Sequence, residues 1–369
     1  ETTTMEPTPI PTAAPAPVSN PIQNPPVIQG YSMNQSAAEV VSVAAPSVNA
    51  GESVTMQELP FNKETISGED MRNALSAMVS KKLFWGKGAV KSMDISNIQT
   101  WTSYHCKWET FMEKRRTEWV HRPYEGGALD GPNNGIAPQP WDIAVQMPQL
   151  FEEDEVTVVV PHTEYAQQCS DCFGRGRVQC KHCKGRGRDE CTWCNGRGQE
   201  RRGDEMVRCT HCNGEGRVRC TWCDGDGMVR CKTCKGNGNI VMYVKLTVTF
   251  TNHVDNQVID ASGMPADMVR DASGTLMCQQ TAYRVLPPQE VFEPAVRSAC
   301  SQLFTNAENR INENKERLLQ ERVTVRIIPI AKAVGSWKGK SMEFWVYGND
   351  KVAYAPRYLK EFYHGCNIL

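Results

Sequence analysis

The chain has 369 residues and carries 41 Lys plus Arg against 42 Asp plus Glu, a formal net charge of −1. This length suits one large domain or two ordinary ones with a tail. The balanced charge gives no global signal for binding nucleic acid or an acidic membrane surface. No apolar run approaches the roughly 18 residues that a membrane span needs, and we expect no membrane association.

Residues 1–58 are predicted to form a disordered leader. Nine of the 22 prolines lie in the first 56 residues, separated by Ala, Ser, Thr and Val. Such a stretch buries too little apolar surface to offset its ordering entropy. The first 50 residues contain no Lys or Arg, which argues against a signal or transit peptide. We therefore expect the protein in the cytoplasm, the nucleus or both.

The predicted folded body begins with residues 59–165. Ser67 can cap a helix, because apolar residues recur at helical spacing directly after it. Residues 101–124 are rich in aromatic and charged side chains, and their period is ambiguous between helix and strand. Residues 125–140 are typical of a loop. The β-branched residues 156–160 predict a strand that leads into a cysteine-rich segment.

The body resumes with residues 240–369. A steady three-to-four spacing of apolar residues from Val291 predicts an amphipathic helix, with Pro294 tolerated in its first turn. Further strands are predicted at 240–250, 275–285, 323–330, 342–347 and 351–354, the last two joined by a turn at Gly348. The predicted fold class is therefore α+β: a β-rich body with residues 166–239 inserted between two strands as an extended, zinc-binding hairpin arm.

The inserted segment repeats the motif Cys-x-x-Cys-x-Gly-x-Gly six times. From Cys169 onwards the copies read CSDCFGRG, CKHCKGRG, CTWCNGRG, CTHCNGEG, CTWCDGDG and CKTCKGNG. Two Cys-x-x-Cys turns complete the closed tetrahedral site of a structural zinc. The glycines let the backbone fold back so that its N–H groups point at sulfur. Disulfides are the alternative in a secreted chain, but tandem Cys-x-x-Cys pairs favour metal in a reducing compartment.

The spacing of the repeats predicts how they pair. Their first cysteines are 11, 11, 18, 11 and 11 residues apart, a series that is the same in both directions. A linear array of fingers does not need this symmetry. A hairpin folded at residues 199–208 does, because it joins the third repeat to the fourth, the second to the fifth and the first to the sixth. The predicted cofactor is three Zn²⁺, held by Cys191, Cys194, Cys209 and Cys212, by Cys180, Cys183, Cys220 and Cys223, and by Cys169, Cys172, Cys231 and Cys234.

Closed zinc sites have no open position for a substrate, so we expect no zinc catalysis and no enzyme activity. The segment has too little apolar content to fold alone, and zinc must supply about 10–16 kcal/mol per site. Between Cys169 and Gly238, 15 Lys plus Arg exceed 9 Asp plus Glu by 6. Three tetrathiolate zinc centres cancel this excess, since each carries a charge of about −2. That neutrality weakens a counterion-release argument for nucleic acid.

Four aromatic side chains stand just before the second cysteine of a repeat: His182, Trp193, His211 and Trp222. Because four thiolates already satisfy each metal, the histidines are expected to be surface groups rather than ligands. The tryptophans are expected to pack across the hairpin. The alternative is an exposed tryptophan that holds apolar peptide.

The repeat resembles the cysteine-rich domain of DnaJ-type chaperones, in which four copies pair in nested fashion around two zinc ions. This chain has six copies and no His-Pro-Asp tripeptide, so we expect no direct J-domain coupling to Hsp70. Beyond the leader it resembles the SSU-two homologues, in the stretches EKRRTEWVHRPYEGG, VVVPHTEYAQQCSDC, LTVTFTNHVDNQVIDASGMP and FWVYGNDKVAYAP. This resemblance implies an intracellular zinc-finger protein with a role in development, including tooth formation.

Three functions follow from these patterns. The first is a chaperone-like or adaptor protein that binds polypeptide clients through the zinc segment and the body. The second is a nucleic-acid-associated regulator of gene expression, with phosphate contacts from Arg175, Arg177, Arg186, Arg188, Arg217 and Arg219. The third is a thiol–disulfide oxidoreductase. It is the least favoured, because such an enzyme needs one exposed cysteine of low pKa rather than twelve equivalent ones.

Overall fold

A computed structural model describes residues 26–31, 41–42, 53–60, 64–82, 85, 87–203, 205–288, 292–311 and 316–358. The helices within these ranges are α1 (Gly68–Ser80), α2 (Lys87–Ser92), α3 (Ala266–Asp271) and α4 (Pro294–Arg310). The strands are β1 (Val41–Ser42), β2 (Ser53–Thr55), β3 (Asp94–Pro123), β4 (Asp154–Val159), β5 (Tyr165–Gln168), β6 (Arg177–Gln179), β7 (Arg188–Glu190), β8 (Gln199–Arg202), β9 (Glu205–Arg208), β10 (Arg217–Arg219), β11 (Met228–Arg230), β12 (Asn239–Ile259), β13 (Thr275–Ala282), β14 (Arg284–Leu286), β15 (Glu316–Trp337), β16 (Lys340–Tyr347) and β17 (Val352–Tyr354).

The chain divides into two compact units, each assembled from distant stretches of sequence. The first comprises residues 1–41, 116–144 and 157–247, and the second comprises residues 42–115, 145–156 and 248–369. The first unit contains the cysteine-rich segment together with β5, which pairs antiparallel with the start of β12. No helix in the described ranges is long and apolar enough to cross a membrane.

The second unit is built on long antiparallel strands. Its strands follow the order β17-β16-β15-β3-β12, and β13 also pairs with β15. The register of β15 on β3 runs from Glu316↔Lys114 to Ser336↔Asp94. The predicted strands 240–250 and 323–330 are therefore confirmed, but they are only the first half of β12 and the centre of β15. Their ends are more polar, and pairing with neighbouring strands extends them beyond their apolar cores.

The stretch of ambiguous period, residues 101–124, lies almost entirely in β3. Its odd-numbered residues Ser103, His105 and Glu109 share one side of the strand and are buried, although they are polar. The even-numbered Tyr104 and Trp108 are buried in an apolar cluster on the other side. Because both sides of β3 are covered, the apolar–polar alternation that marks a half-exposed strand is absent.

Helix α1 begins with a capping box, as Ser67 predicts. The N–H of Asp70 donates to Ser67 Oγ at 3.2 Å, and the N–H of Ser67 donates to Asp70 Oδ2 at 2.9 Å. These two bonds satisfy backbone donors that have no partner within the helix. Helix α1 then buries Met71 and Leu75 in a cluster that includes Phe344 of β16.

Helix α4 covers a second cluster of the same unit. It starts at Pro294, where a missing N–H is tolerated, and it buries Val296, Cys300 and Leu303 beside Trp108. The amphipathic helix predicted from the spacing after Val291 is therefore confirmed. Residues 289–291 themselves lie outside the described ranges.

Two described parts of the predicted leader make ordered contacts. Strand β2 pairs in parallel with β14 in the second unit, and the following Met56 is buried. Separately, in the first unit, the hydroxyl of Tyr31 donates to the carbonyl oxygen of Pro138 at 2.7 Å. These contacts depend on partners far away in the sequence, which composition does not reveal. Residues 1–25, 32–40 and 43–52, for which disorder is predicted, lie outside the described residues.

Candidate metal centre

Each Cys-x-x-Cys-x-Gly-x-Gly repeat folds into the same tight turn. In the first copy the N–H of Gly174 donates to the carbonyl oxygen of Cys169 at 3.3 Å, and the N–H of Gly176 donates to Cys172 Sγ at 3.3 Å. The second glycine of the other five copies makes the same N–H···S bond at 3.2 or 3.3 Å. The prediction that the glycines let backbone N–H groups point at sulfur is confirmed.

The second glycine of each repeat also allows two repeats to approach closely. Gly176 has φ +70°, and a Cβ atom built on it would collide with the carbonyl oxygen of Gly236. Reciprocally, a Cβ atom on Gly238 would collide with the carbonyl oxygen of Gly174. Glycine is therefore needed here both for the left-handed backbone and for contact between the paired turns.

The twelve cysteines of the repeats come together in three groups of four, and all of them are buried. Within each group the sulfur atoms lie within 4.8 Å of one another. The groups are Cys169, Cys172, Cys231 and Cys234; Cys180, Cys183, Cys220 and Cys223; and Cys191, Cys194, Cys209 and Cys212. We call them the inner, middle and outer clusters. They are the sets that nested pairing predicts, whereas a linear array would have joined Cys172 to Cys180.

The sulfur distances fit a tetrahedral metal ion. Across the inner cluster, Cys169 Sγ lies 3.8 Å from Cys231 Sγ, and Cys172 Sγ lies 3.6 Å from Cys234 Sγ. The corresponding distances in the middle and outer clusters are 3.7–4.0 Å. A disulfide requires about 2.05 Å, whereas zinc–sulfur bonds of about 2.3 Å place tetrahedral sulfurs about 3.8 Å apart. Each cluster could hold one metal ion, and its all-thiolate donor set suits Zn²⁺.

Two short antiparallel strand pairs lie between the clusters, and a third lies beyond the outer cluster in the sequence. Strands β6 and β11 pair with Val178 opposite Val229, strands β7 and β10 pair with Asp189 opposite Val218, and β8 pairs with β9. Val178, Val229 and Val218 pack against the inner, middle and outer clusters, respectively, and each is only partly buried. This apolar contact is small, so we expect a bound metal to supply most of the folding energy of the segment.

The thiols of a cluster differ in their tendency to ionise when no metal is bound. Burial raises the pKa of Cys169, whereas backbone N–H groups of Cys234 and Thr233 lower the pKa of Cys231. Four neighbouring thiols therefore do not all become thiolates at neutral pH without a cation. Binding of a divalent metal must displace protons, which makes metal affinity fall as the pH is lowered.

The structure separates the six arginines of the nucleic-acid hypothesis into two sets. Three are held by groups of the segment itself: Arg177 by Asp226, Arg188 by Glu215, and Arg219 by the carbonyl oxygen of Asp224. The other three are exposed and have no ion pair or side-chain hydrogen bond within the described part of the chain: Arg175, Arg186 and Arg217. Half of the set proposed to contact phosphate is thus already neutralised or hydrogen-bonded.

Each tryptophan of the repeats faces a histidine of the paired repeat. The rings of Trp193 and His211 stack with centroids 5.4 Å apart, and those of His182 and Trp222 lie 5.7 Å apart. The tryptophans therefore pack against the paired repeat, but this covers little of the indoles, since Trp193 and Trp222 remain 69% and 72% exposed. The metal groups contain only cysteine, so the histidines are surface groups as predicted.

One exposed aromatic residue was missed by the sequence reasoning. Phe173 follows the second cysteine of the first repeat and is 73% exposed. The signal in the sequence is the residue type, because the equivalent position carries Lys, Asn or Asp in the other five copies. The backbone at this position has positive φ in all six copies. An exposed phenylalanine at a turn position of positive φ needs an explanation other than packing.

No family model matches the chain. It is similar to the Protein SSUH2 homolog of Danio rerio, at 37% identity over 289 residues that cover 78% of both chains. It is also similar to the Protein SSUH2 homolog of Homo sapiens, at 35% identity over 302 residues that cover 82% of this chain and 80% of the relative. The similarity extends well beyond the cysteine repeats.

Proposed function

This chain belongs to the family of the SSUH2 homologues, and we propose that it is a zinc-binding, non-enzymatic protein that binds polypeptide in a chaperone-like or adaptor role. In this proposal the cysteine-rich segment is an extended hairpin arm inserted into a β-rich body. The nested strand pairs and nested cysteine clusters support such an arm.

The metal would have a structural role. Four buried cysteine sulfurs surround each candidate site, and four thiolates complete the tetrahedral coordination of zinc. A zinc ion held in this way has no position for an activated water or a substrate carbonyl. This supports a role in holding the segment in shape rather than in catalysis.

The observation that carries the proposal is the exposure of two indoles on the metal-held segment. Trp193 and Trp222 each leave more than two thirds of their surface uncovered, and each is oriented by a histidine ring. Tryptophan offers a large apolar surface at low entropic cost, and exposed aromatic side chains on a rigid scaffold commonly mark contact sites for protein.

The test uses the full-length, zinc-loaded protein and the double variant Trp193→Ala/Trp222→Ala. We expect the wild type to slow aggregation of a chemically unfolded reporter protein and to bind its peptides, and the variant to bind at least about tenfold more weakly. The control is Ile136→Ala, which removes an 82% exposed side chain outside the repeats. Failure of the wild type to bind, or equal binding by the tryptophan variant, would overturn the proposal.

The alternative is a nucleic-acid-associated regulator of gene expression. It is supported by Arg175, Arg186 and Arg217, which have no ion pair within the described part of the chain. It predicts an affinity for nucleic acid that falls steeply with salt, and binding that does not change between two salt concentrations would dismiss it. From the family resemblance we also propose a cytoplasmic or nuclear location and a role in development, including tooth formation.

A further inference from the structure

Every cysteine cluster carries one exposed phenylalanine or tryptophan and, in its outgoing repeat, one exposed arginine between the two glycines. The arginine always stands between the two glycines of a repeat in the outgoing half, residues 169–198. The pairs are Phe173 with Arg175 at the inner cluster, Trp222 with Arg186 at the middle cluster, and Trp193 with Arg197 at the outer cluster. None of the three arginines has an ion pair or a side-chain hydrogen bond within the described part of the chain.

The two halves of the segment differ at this position. In the returning half, residues 209–238, the residue between the glycines is Glu215, Asp226 or Asn237. All three are used within the first unit, because Glu215 pairs with Arg188, Asp226 pairs with Arg177, and the Asn237 side chain donates to the carbonyl oxygen of Tyr124 at 2.9 Å. In the returning half the residues between the glycines are therefore used, whereas the outgoing half leaves an arginine without an ion pair at each cluster, within the described part of the chain.

An unpaired guanidinium and an exposed aromatic ring at the same cluster fit a particular kind of ligand. The guanidinium binds a carboxylate through two parallel hydrogen bonds, while the ring packs against an apolar side chain. Three such pairs, one at each cluster, match a chain that presents acidic and apolar side chains in alternation.

We propose that the clients of this segment are extended acidic polypeptides. Their carboxylates pair with Arg175, Arg186 and Arg197, and their apolar side chains pack on Phe173, Trp193 and Trp222. This inference rests on the proposed function and adds the charge of the client to it. The observations favour a polypeptide over nucleic acid, because the summed charge of the zinc-loaded segment is about zero and offers little release of counterions from a polyphosphate.

The experiment measures the affinity of the full-length, zinc-loaded protein for three labelled peptides by fluorescence anisotropy. One peptide alternates Glu with Leu and Phe, the second carries Gln in place of Glu, and the third carries Lys in place of Glu. We expect the Glu peptide to bind at least about tenfold more tightly than the Gln peptide, and the Lys peptide to bind most weakly.

The charge-reversal variant Arg175→Glu/Arg186→Glu/Arg197→Glu should lose this preference and bind the Lys peptide better than the Glu peptide. Such a gain for the Lys peptide cannot arise from misfolding. The matched control is Lys181→Glu/Lys184→Glu/Lys232→Glu, which makes the same change of charge at exposed lysines of the second and sixth repeats and should keep the preference for Glu.

Equal binding of the Glu and Gln peptides by the wild type, with both weakened in Trp193→Ala/Trp222→Ala, would overturn the acidic client and leave the proposed function standing. Binding of none of the peptides would overturn both. Binding of single-stranded nucleic acid, but not of the Glu peptide, through the same three arginines would replace this inference with the nucleic-acid alternative.

Discussion

A methyl group added to the second glycine of a repeat would prevent that repeat from approaching its partner repeat closely. Gly187 has φ +73°, and a Cβ atom on it would collide with the carbonyl oxygen of Gly225 in the paired repeat. Gly203 has a similar φ of +64°, but a Cβ atom there would meet nothing within 4 Å. Replacing Gly203 by alanine therefore measures the strain of the left-handed backbone alone, whereas replacing Gly187 adds the collision with the paired repeat.

We expect Gly187→Ala to lose the metal of the middle cluster, so that native mass spectrometry finds two zinc ions per chain rather than three. Gly203→Ala should keep all three and cost only about 1–2 kcal/mol of backbone strain. Retention of three zinc ions by Gly187→Ala would show that the close approach of the repeats is not required for binding.

A second residue-level prediction concerns Glu109 in the second unit. Its buried carboxylate accepts from Arg322 at 2.7 and 2.8 Å and pairs with Lys107 at 2.9 Å. We expect Glu109→Gln to reduce the free energy of unfolding by roughly 3 kcal/mol, because it leaves a partly buried guanidinium without its anion. The control is Glu343→Gln, whose carboxylate is 56% exposed beside Lys332 and should cost less than about 1 kcal/mol.

The measurement for both variants is urea unfolding of the full-length, zinc-loaded protein. Burial alone would raise the pKa of Glu109, but the hydrogen bonds from Arg322, Lys107 and Asn252 together lower it to about 2. Its contribution to stability is therefore complete above the unfolded pKa of about 4.3 and is lost as the pH falls towards 2. Equal losses for the two variants at neutral pH would contradict this role of Glu109.

At the scale of elements, β3, β12 and β15 share a row of buried polar contacts in the second unit. Ser103 of β3 donates to Asp260 at 2.5 Å, and Asn252 of β12 donates to Glu109 of β3 at 3.2 Å. Between these contacts, His105 of β3 lies 2.9 Å from Asn256 of β12 and 2.8 Å from Arg326 of β15. Since Arg326 can only donate, His105 Nδ1 must accept, and Nε2 carries the proton donated to Asn256.

This arrangement holds His105 neutral. Burial lowers its pKa, and the nearby cations Arg326, Lys107 and Arg270 add to that effect, while the bond to Asn256 opposes it. A lowered pKa means that the unfolded chain takes up a proton first as the pH falls below about 6.5. Stability from this group is therefore complete above pH 6.5 and is lost as the pH falls towards the folded-state pKa.

We expect His105→Gln to flatten the decline of unfolding free energy below about pH 6.5, measured by urea unfolding at several pH values. His121→Gln, at an exposed position near the other end of β3, is the matched control and should leave the decline unchanged. An identical pH profile for wild type and His105→Gln would show that His105 does not titrate in this window.

For the whole molecule, the two units should respond differently to loss of metal. The apolar clusters that α1 and α4 cover in the second unit contain none of the repeat cysteines. Little apolar surface packs against the cysteine clusters: one partly buried valine at each, with Ile240 and Met242 added at the inner cluster. Chelation should therefore unfold the segment and leave the core of the second unit folded.

Hydrogen exchange with mass spectrometry tests this difference on the full-length protein. After chelation at neutral pH we expect amides of residues 169–238 to lose protection, while those of β15 keep theirs, and zinc should restore the difference. Loss of protection throughout β15 at the same chelator concentration would mean that the metal sites and the second unit unfold as one.

The sequence alone was sufficient for the features that depend on local turns and on symmetry along the chain. Cys-x-x-Cys-x-Gly-x-Gly determines its own turn, and the equal spacings on either side of residues 199–208 imply nested pairing, so all twelve cysteines and their grouping follow from the sequence. The start of α1 followed in the same way, because a capping box joins residues three positions apart.

The tertiary structure decided whatever depends on partners distant in sequence. The ambiguous stretch became β3 because β15, more than 200 residues away, pairs along it and because polar groups on one side find buried partners. Likewise, Arg175 and Arg177 look equivalent in the sequence, yet only Arg177 meets an acidic side chain, Asp226. Whether a side chain is exposed or forms an ion pair depends on the residues that face it in the folded chain. These residues are distant in the sequence, so the sequence pattern does not identify them.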